Sequence, residues 1–142
     1  MNKKLMRLPI EEYAKAQTKT LLERLALQIG QTAKSTDPES VHDLRVEVRH
    51  LVNCFRVFTQ FFPDQASKKI RRRLQALKKL AGEVRTLDIA LEVIVSRPGV
   101  QDEGLSAWLK NERKKTEQEL SKALQRWTRR KFWRKWRGMI DL

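Results

Sequence analysis

The sequence predicts an all-α fold, a bundle of five or six helices, on the strength of three observations. Apolar residues recur at spacings of three and four along most of the chain, which is the period of an amphipathic helix. The alternation of apolar and polar residues that indicates strands is absent. Glycine and proline are scarce, at five and four of 142 residues. This length suits one domain, so we expect residues 1–142 to form a single helical unit.

The first two helices have recognisable ends. We expect the first to begin near Pro9, a favourable first-turn residue, and to end at Gly30. The second begins with Asp37 as N-cap and Pro38 at the first helical position, and it ends before Pro63. Its apolar stripe keeps the three-four spacing throughout and consists of Val41, Leu44, Val48, Leu51, Phe55, Phe58 and Phe62.

A third helix is predicted from about Gln65 to Ala81, where Gly82 indicates a break. Thr86 is then expected to cap a short fourth helix that runs through Ile94. The segment SRPGVQDEG, with its proline and two glycines, is the clearest loop in the chain.

A fifth helix should cover roughly Leu105 to Trp127. Its predicted inward residues are Trp108, Leu109, Thr116, Leu120, Ala123 and Leu124. The later apolar residues lie about half a turn away from these, at about 100° per residue, so one straight helix cannot bury both groups. These later residues are Phe132, Trp133, Trp136 and Ile140. We therefore predict a break near Thr128, with Thr128 capping a last short helix.

The charge of the chain points to a polyanionic partner. Lysine and arginine number 31 against 17 acidic residues, which gives a formal net charge of +14 and a pI of about 10.4. Such an excess repels itself and is typical of proteins that bind nucleic acid, anionic lipid or an inorganic phosphate chain.

Compartment and membrane association follow from short apolar segments and a single cysteine. Cys54 allows no disulfide within the chain and is expected to be a core residue, which fits a reducing compartment. The segment MNKKLMRLPIEEY has no sustained apolar region, so we expect no signal peptide. The run LDIALEVIV is too short to span a bilayer. These features predict a cytoplasmic protein.

Four basic residues of the second helix form a cationic strip: His42, Arg45, Arg49 and Arg56. Their spacing of i, i+3, i+7 and i+14 confines them to an arc about 60° wide. The strip borders the apolar stripe, whereas a helix that needs only solubility carries its cations on the far side. These cations are therefore expected to face a neighbouring helix.

The third helix has a similar layout within its basic run KKIRRRLQALKK. Arg71 and Lys78, seven residues apart, lie beside its seam, and Lys79 follows directly. If the turn at Pro63 makes helices two and three antiparallel, the two basic edges meet in a groove. Crowded cations repel unless an anion lies between them, and arginine and lysine both bind phosphate well. For any single cation, a buried stem with a solvated head is the favoured interpretation. For the strip as a whole, the net charge of +14 favours anion binding.

Two segments resemble the signatures of a known family. SVHDLRVEVRHLVNCFRVF resembles the first signature of the CHAD family, the conserved-histidine α-helical domain, and LKKLAGEVRTLDIAL resembles the second. The resemblance extends from about Leu21 to Ile140. It implies an all-helical protein that binds inorganic polyphosphate, with fusion to triphosphate-processing domains or association with polyphosphate granules in some members.

The resemblance also assigns roles to residues. The signature histidine matches His42, and the arginine after the glycine of the second signature matches Arg85, followed by Asp88. With the groove residues, the predicted polyphosphate-binding set is His42, Arg45, Arg49, Arg56, Arg71, Lys78, Lys79 and Arg85.

The chain departs from the family pattern in three ways. His50 stands where the family often has a second arginine, and Thr86 stands where it usually has aspartate. Complete members are about twice this length and contain two related helical halves, so this chain corresponds to one half. The chain is then a fragment of a longer protein, or two copies pair as a homodimer to complete the channel, or the binding groove stays open.

Two other partners remain open on the sequence. The tail LQRWTRRKFWRKWRGMI interleaves seven cations with four aromatic residues, as single-strand nucleic-acid binders do. The same tail is also a candidate amphipathic helix for a membrane surface, although we expect no membrane partner. Against nucleic acid, the aromatic spacing also suits a core.

Catalysis is not expected. The carboxylate pairs Asp43–Glu47 and Asp88–Glu92 have i, i+4 spacing and are interpreted as partners for arginine or lysine. His42 and His50 lie too far apart along one helix to bind one metal. We therefore predict a binding protein without catalytic residues, metal site or cofactor.

Overall fold

The computed structural model describes residues 3–97 and 103–142, with side chains from residue 9 onward. Its five helices are α1 (Lys3–Lys34), α2 (Pro38–Val57), α3 (Asp64–Ser96), α4 (Glu103–Arg129) and α5 (Phe132–Met139). A 3-10 turn at Thr59–Phe61 follows α2. These residues contain no strand, so the predicted all-α bundle is confirmed. Within them, no helix combines the length and the apolar character needed to cross a membrane.

The four long helices form a closed bundle in which each packs against two neighbours. Helix α1 contacts α2 and α4, and α3 contacts the same two helices on the other side. One leucine from each helix is fully buried at the centre: Leu25, Leu44, Leu74 and Leu124. This is the arrangement of a four-helix bundle, with the short α5 packed across one end against α1.

Helix α2 begins as its sequence predicts. The Oδ1 atom of Asp37 accepts a hydrogen bond from the backbone N–H of Ser40 at 2.8 Å, which satisfies one of the free donors of the first turn. That bond, with a second from the Ser35 hydroxyl, holds the pKa of Asp37 below its ordinary value. The apolar stripe of α2 faces the core from Val41 through Phe55. The helix ends at Val57, so its predicted continuation through Phe58 and Phe62 is wrong, and Phe62 is buried from beyond the 3-10 turn.

The end of α1 differs from the prediction, because the helix continues past Gly30 to Lys34. Its last turn is held by contacts with α2: the Thr32 hydroxyl is 2.9 Å from the Ser40 hydroxyl, and Gln28 Nε2 donates to the Ser40 carbonyl at 3.4 Å. A helix stabilised by packing does not have to stop at a glycine. Nor does α1 begin at Pro9, because the described helix starts at Lys3 and contains the proline.

Helix α3 is continuous, so the predicted break at Gly82 and the cap at Thr86 are wrong. The Thr86 hydroxyl instead donates to the carbonyl of Gly82 within the helix at 2.9 Å. Residues on both sides of Gly82 are buried against neighbouring helices, and this packing outweighs the cost of about 1 kcal/mol for a helical glycine. The predicted loop at 96–104 is shorter: Ser96 ends α3, Gly104 lies in α4, and residues 98–102 lie outside the described residues.

The predicted break after Trp127 is confirmed, although its cap is not. Helix α4 ends at Arg129, and Lys131 adopts a left-handed conformation, with φ of 48°, before α5. The hydroxyl of Thr128 donates to the carbonyl of Leu124 and caps nothing. The turn folds α5 back so that its aromatic residues pack on Trp127. One inward prediction is wrong, because Trp108 near the start of α4 is exposed.

Candidate functional site

Two adjoining depressions run along the seam between α2 and α3, and together we call them the α2–α3 groove. The first, the Arg45 depression, has a volume of about 410 Å³ and is lined by Arg45, Gln75, Lys78, Lys79, Gly82, Glu83 and Thr86. The second, the Arg71 depression, has a volume of about 300 Å³ and is lined by Val52, Arg56, Lys68, Arg71, Arg72 and Gln75. Gln75 belongs to both linings, so the depressions meet at this residue.

Helix α3 supplies most of the groove through a single stripe of residues. Its lining positions are 68, 71, 72, 75, 78, 79, 82, 83 and 86, which recur every three or four residues on one helix face. Helix α2 contributes Arg45 near its beginning and Arg56 in its last turn. Because Arg45 meets the later part of α3 and Arg56 meets the earlier part, the two helices are antiparallel, as the sequence suggested.

Each depression contains one arginine whose Nε is buried and lacks a hydrogen-bond partner. These arginines are Arg45 and Arg71, and both are half-buried. A buried donor without a partner costs about 1–3 kcal/mol, a cost that an oxygen-rich anion in the groove removes. The guanidinium plane offers further donors beside Nε, so each arginine can hold phosphate in a fork.

The cations of the groove are almost free of carboxylate partners. Among the described residues, no acidic group lies within ion-pair distance of Arg45, Arg56 or Arg71. Lys68 pairs only with the exposed Asp64, at 3.2 Å. One carboxylate, Glu83, lines the Arg45 depression beside its three cations, whereas the Arg71 depression has four cations and no acid in its lining. The groove is therefore electropositive, more so at the Arg71 end.

Arg113 shows how the same fold treats a structural arginine. Its Nε donates to Asp88 at 2.7 Å, Nη1 to Glu117 at 2.6 Å, and Nη2 to the backbone carbonyl of Thr36 at 2.6 Å. Burial disfavours the charge of this guanidinium, but the carboxylates of Asp88 and Glu117 outweigh burial and raise the pKa of Arg113 above its ordinary value. Arg45 and Arg71 differ from Arg113, because among the described residues neither has a carboxylate within ion-pair distance.

The structure brings five of the eight predicted binding residues into the groove. They are Arg45, Arg56, Arg71, Lys78 and Lys79. His42 and Arg49 are exposed on α2, and Arg85 is half-buried on α3, but these three line neither depression. Their assignment to ligand binding stays a prediction. Asp88, which follows Arg85 in the second signature, pairs with Arg113 of α4.

Sequence reasoning missed seven lining residues: Val52, Lys68, Arg72, Gln75, Gly82, Glu83 and Thr86. Three of them, Lys68, Arg72 and Gln75, belong to the run KKIRRRLQALKK, in which only Arg71, Lys78 and Lys79 were predicted to bind. The signal was available, because the three share a face with Arg71, Lys78 and Lys79 at three-four spacing. A helical projection centred on the groove, and not on the apolar seam, would have grouped them.

His50 belongs to a different surface. A depression of about 420 Å³ between α1 and α2 is lined by Tyr13, Gln17, Leu21, Arg24, His50, Asn53, Cys54, Val57 and Phe58. It is more apolar than the groove and does not gather cations from two helices. Cys54 is buried there, as predicted, and burial raises the pKa of its thiol. Across the part of the chain with described side chains, no three histidine, cysteine or acidic residues cluster as a metal site would require.

The basic tail divides into buried aromatic residues and exposed cations. Trp127, Phe132 and Trp136 pack edge to face in the core, and Trp133 is half-buried against Phe132. Rings packed in this way do not present open faces to nucleic-acid bases. The cations remain at the surface and include Arg126, Arg129, Arg130, Lys131, Arg134 and Lys135.

Comparison with known proteins identified one family. The family model described as CHAD domain matches residues 13–141, nearly the whole chain. The matched range contains both signature segments and the entire α2–α3 groove. No curated protein and no solved structure gave a significant match.

Proposed function

Since the chain belongs to the CHAD domain family, we propose that it binds inorganic polyphosphate, or another polyphosphorylated anion, in the α2–α3 groove. The observation that carries this proposal is the convergence of cations from two helices, among which only Lys68 has a carboxylate partner within the described residues. Arg45 and Arg71 each present a buried Nε without a partner, one in each depression. Phosphoryl oxygens are suitable acceptors for these donors, and a multiply charged anion offsets the mutual repulsion of the cations.

The chemistry of the groove favours a ligand without bases or sugars. Seven of its twelve lining residues are cations, and none is aromatic. The other five are Val52, Gln75, Gly82, Glu83 and Thr86. Recognition of single-stranded nucleic acid usually combines basic residues with aromatic platforms on which bases stack. A chain of phosphates needs only the basic residues, which is what this groove supplies.

We propose binding without catalysis. In this role the protein holds the phosphate chain and does not cleave it. The test is incubation of the protein with long-chain polyphosphate and Mg²⁺, followed by measurement of released phosphate and of chain length. Phosphate release that grows with protein concentration would show the protein to be an enzyme.

The binding test uses two pairs of arginines that differ only in position. The variant Arg45→Gln/Arg71→Gln removes two groove cations and keeps much of each side-chain stem. The matched control, Arg129→Gln/Arg130→Gln, removes the same charge from exposed positions outside the groove. Both retain the same formal net charge, so a nonspecific electrostatic effect would weaken polyphosphate binding equally in the two variants.

The expected result is a selective loss of affinity in the groove variant. Hydrogen bonds to charged groups contribute about 1.5–3 kcal/mol each, so the groove variant should lose on the order of 100-fold in affinity. The control should bind nearly as the unmodified protein does. The slope of log affinity against log salt should become shallower by about one unit per lost phosphate contact. Equal losses in both variants would refute the groove as the binding site.

A second candidate, nucleic-acid binding, rests on the exposed cations of the α4–α5 tail. The two candidates make opposite predictions for the same variants. If RNA binds at the tail, RNA affinity should fall in Arg129→Gln/Arg130→Gln and not in Arg45→Gln/Arg71→Gln. Competition completes the comparison: polyphosphate should displace RNA readily if the groove is the principal anion site. RNA that resists displacement would favour the second candidate.

Two further proposals concern assembly and location. Homodimerisation that completes a two-half module is tested by light scattering on a size-exclusion column with and without polyphosphate. A doubled mass in either condition supports it, and a single-chain mass in both rejects it. Association with polyphosphate granules is tested by imaging the tagged protein together with a polyphosphate stain.

A further inference from the structure

The α2–α3 groove is divided in a way that bears on which phosphate compounds it selects. It consists of two depressions in series, and each has its own half-buried arginine with an unpartnered Nε. Gln75, an exposed and uncharged residue, lies where they meet. The cations are therefore gathered in two clusters along the seam.

The cations of the two clusters span the same length on α2 and on α3. Arg45 and Arg56 are eleven residues apart on α2, which corresponds to about 16 Å at the helical rise. Lys68 and Lys79 are also eleven residues apart on α3, in the opposite direction. A ligand that contacts the outer ends of both clusters must extend along this length, and one that contacts only the facing ends, Arg72 and Lys78, must reach about 9 Å. A compact anion with the same charge reaches one cluster only.

We infer that the groove is a bipartite site that selects linear phosphate chains by length, with both depressions occupied by segments of one chain. The inference rests on the proposed function. Once one segment is bound, the second binds from within the same complex at a high effective concentration, so affinity rises without any new kind of contact. Triphosphate, which is too short to span the groove, binds the two depressions as independent sites.

The unequal charge of the depressions gives them different roles. The Arg71 depression, with four cations and no lining carboxylate, binds the first segment. The Arg45 depression, in which Glu83 opposes three cations, is the weaker partner and binds the second segment. Glu83 therefore lowers the affinity for long chains more than it lowers the affinity for triphosphate.

A length series of linear polyphosphates tests the inference by titration calorimetry. Affinity should rise steeply with chain length until the chain spans both depressions, and then grow only slowly with the number of binding registers. The rise should amount to about 100-fold or more over triphosphate. Triphosphate should bind at two sites per protein, with one site lost in either Arg45→Gln or Arg71→Gln. Inositol hexakisphosphate is a compact anion of high charge. Its affinity per unit of charge should not exceed that of triphosphate.

Variants at the junction and at Glu83 sharpen the test. Gln75→Glu places a carboxylate between the depressions at an exposed position. It should lower the affinity for long chains more than the affinity for triphosphate. Glu83→Gln should strengthen long-chain binding severalfold, and a neutral result would overturn the assignment of the Arg45 depression to the second segment. The control Glu119→Gln, at an exposed position on α4, should leave the affinity for both ligands unchanged.

The outcomes separate this inference from the proposed function. If both arginine variants weaken triphosphate and long chains by the same factor, and affinity shows no dependence on length, the groove binds phosphate but is not bipartite. If neither variant weakens any phosphate ligand, the proposed function itself fails. A length-dependent affinity that falls to the triphosphate value in each single variant supports the bipartite site.

Discussion

Arg45 of α2 lies directly over Gly82 of α3: a Cβ atom placed on Gly82 would be 3.8 Å from Arg45 Nε and 3.9 Å from Arg45 Nη2. Gly82 lies inside a continuous helix, so its role is to leave room and not to permit an unusual backbone conformation. The missing side chain lets the guanidinium approach the backbone of α3, and it explains why Arg45 Nε is buried. The Arg45 depression depends on this close approach.

The Arg45–Gly82 contact predicts different results for small and large substitutions. Gly82→Ala should stabilise the protein by up to about 1 kcal/mol, because alanine is the better helix former and contacts of 3.8 Å are ordinary van der Waals distances. Polyphosphate affinity should persist. Gly82→Leu should displace the guanidinium and lower the affinity about tenfold. Gly30→Leu is the matched control, since a Cβ there meets nothing within 4 Å. Urea unfolding and calorimetry measure both quantities, and unchanged affinity in Gly82→Leu would contradict the proposed role of Arg45.

The Asp88–Arg113 pair predicts a loss of stability without loss of binding. Asp88 is 4% exposed, and its Oδ1 accepts a hydrogen bond from Arg113 Nε, which links α3 to α4. Arg113 Nη2 also donates to the carbonyl of Thr36, in the connection between α1 and α2. Asparagine keeps an oxygen acceptor and Glu117 still pairs with Arg113, so the guanidinium is not left as an uncompensated charge. Asp88→Asn should therefore lower the free energy of unfolding by about 1–3 kcal/mol.

A surface pair provides the control for this prediction. Asp64 and Lys68 lie 3.2 Å apart with both side chains mostly exposed, so Asp64→Asn should cost less than about 1 kcal/mol. Under conditions where the Asp88→Asn variant is folded, its polyphosphate affinity should match that of the unmodified protein, because Asp88 lines neither groove depression. Similar costs for Asp88→Asn and Asp64→Asn would contradict the structural role of the Asp88–Arg113 pair.

The N-cap of α2 predicts a specific acid sensitivity. Hydrogen bonds from Ser40 N–H and the Ser35 hydroxyl lower the pKa of Asp37, helped by the charge of Arg113. A carboxyl whose pKa is lower in the folded state stabilises the fold above its unfolded pKa, and that contribution disappears as the pH falls from about 4 through the lower folded value. Asp37→Asn keeps an oxygen acceptor and removes the titration.

The comparison of the two proteins measures this contribution. Urea unfolding followed by circular dichroism from pH 7 to pH 2 should show the stability difference between the unmodified protein and Asp37→Asn shrinking in the acid range. A difference that stays constant across that range would mean that Asp37 has the same pKa in the folded and unfolded states.

The aromatic cluster at the end of the bundle predicts unequal roles for the tryptophans. Trp136 is 2% exposed and packs on Trp127 and Phe132, with ring centroids 5.4 Å and 5.1 Å apart. Trp136→Ala should cost about 3–5 kcal/mol, as large-to-small core substitutions do. Trp108 is 57% exposed, and Trp108→Ala should change the stability by about 0.5 kcal/mol or less. Denaturant unfolding measures the loss of stability in each variant. A larger loss in Trp108→Ala than in Trp136→Ala would contradict the exposed position of Trp108 on α4.

Much of the fold was predictable because its determinants are local in the sequence. The cap at Asp37 and the three-four spacing of α2 depend on residues within a few turns of one another. The cap is confirmed, and the spacing is confirmed from Val41 through Phe55 but not at Phe58 and Phe62, which lie beyond the end of the helix. The jump in the apolar face after Trp127 is also local, and it located the turn before α5. The predictions at Gly30 and Gly82 were wrong because glycine weakens a helix only slightly, and contacts with distant residues compensated for it.

The sequence by itself determined the net charge, the helical faces and the placement of cations beside the apolar seams of α2 and α3. Only the tertiary structure decided which cations meet: Arg45 with Lys78 and Lys79, and Arg56 with Arg71, while Arg49 remains outside. It also decided that Arg113 is paired with Asp88 whereas Arg45 is not. The physical reason is that helical periodicity fixes the direction of a side chain around its own axis. The rotation and register of one helix against another depend on how the whole core packs.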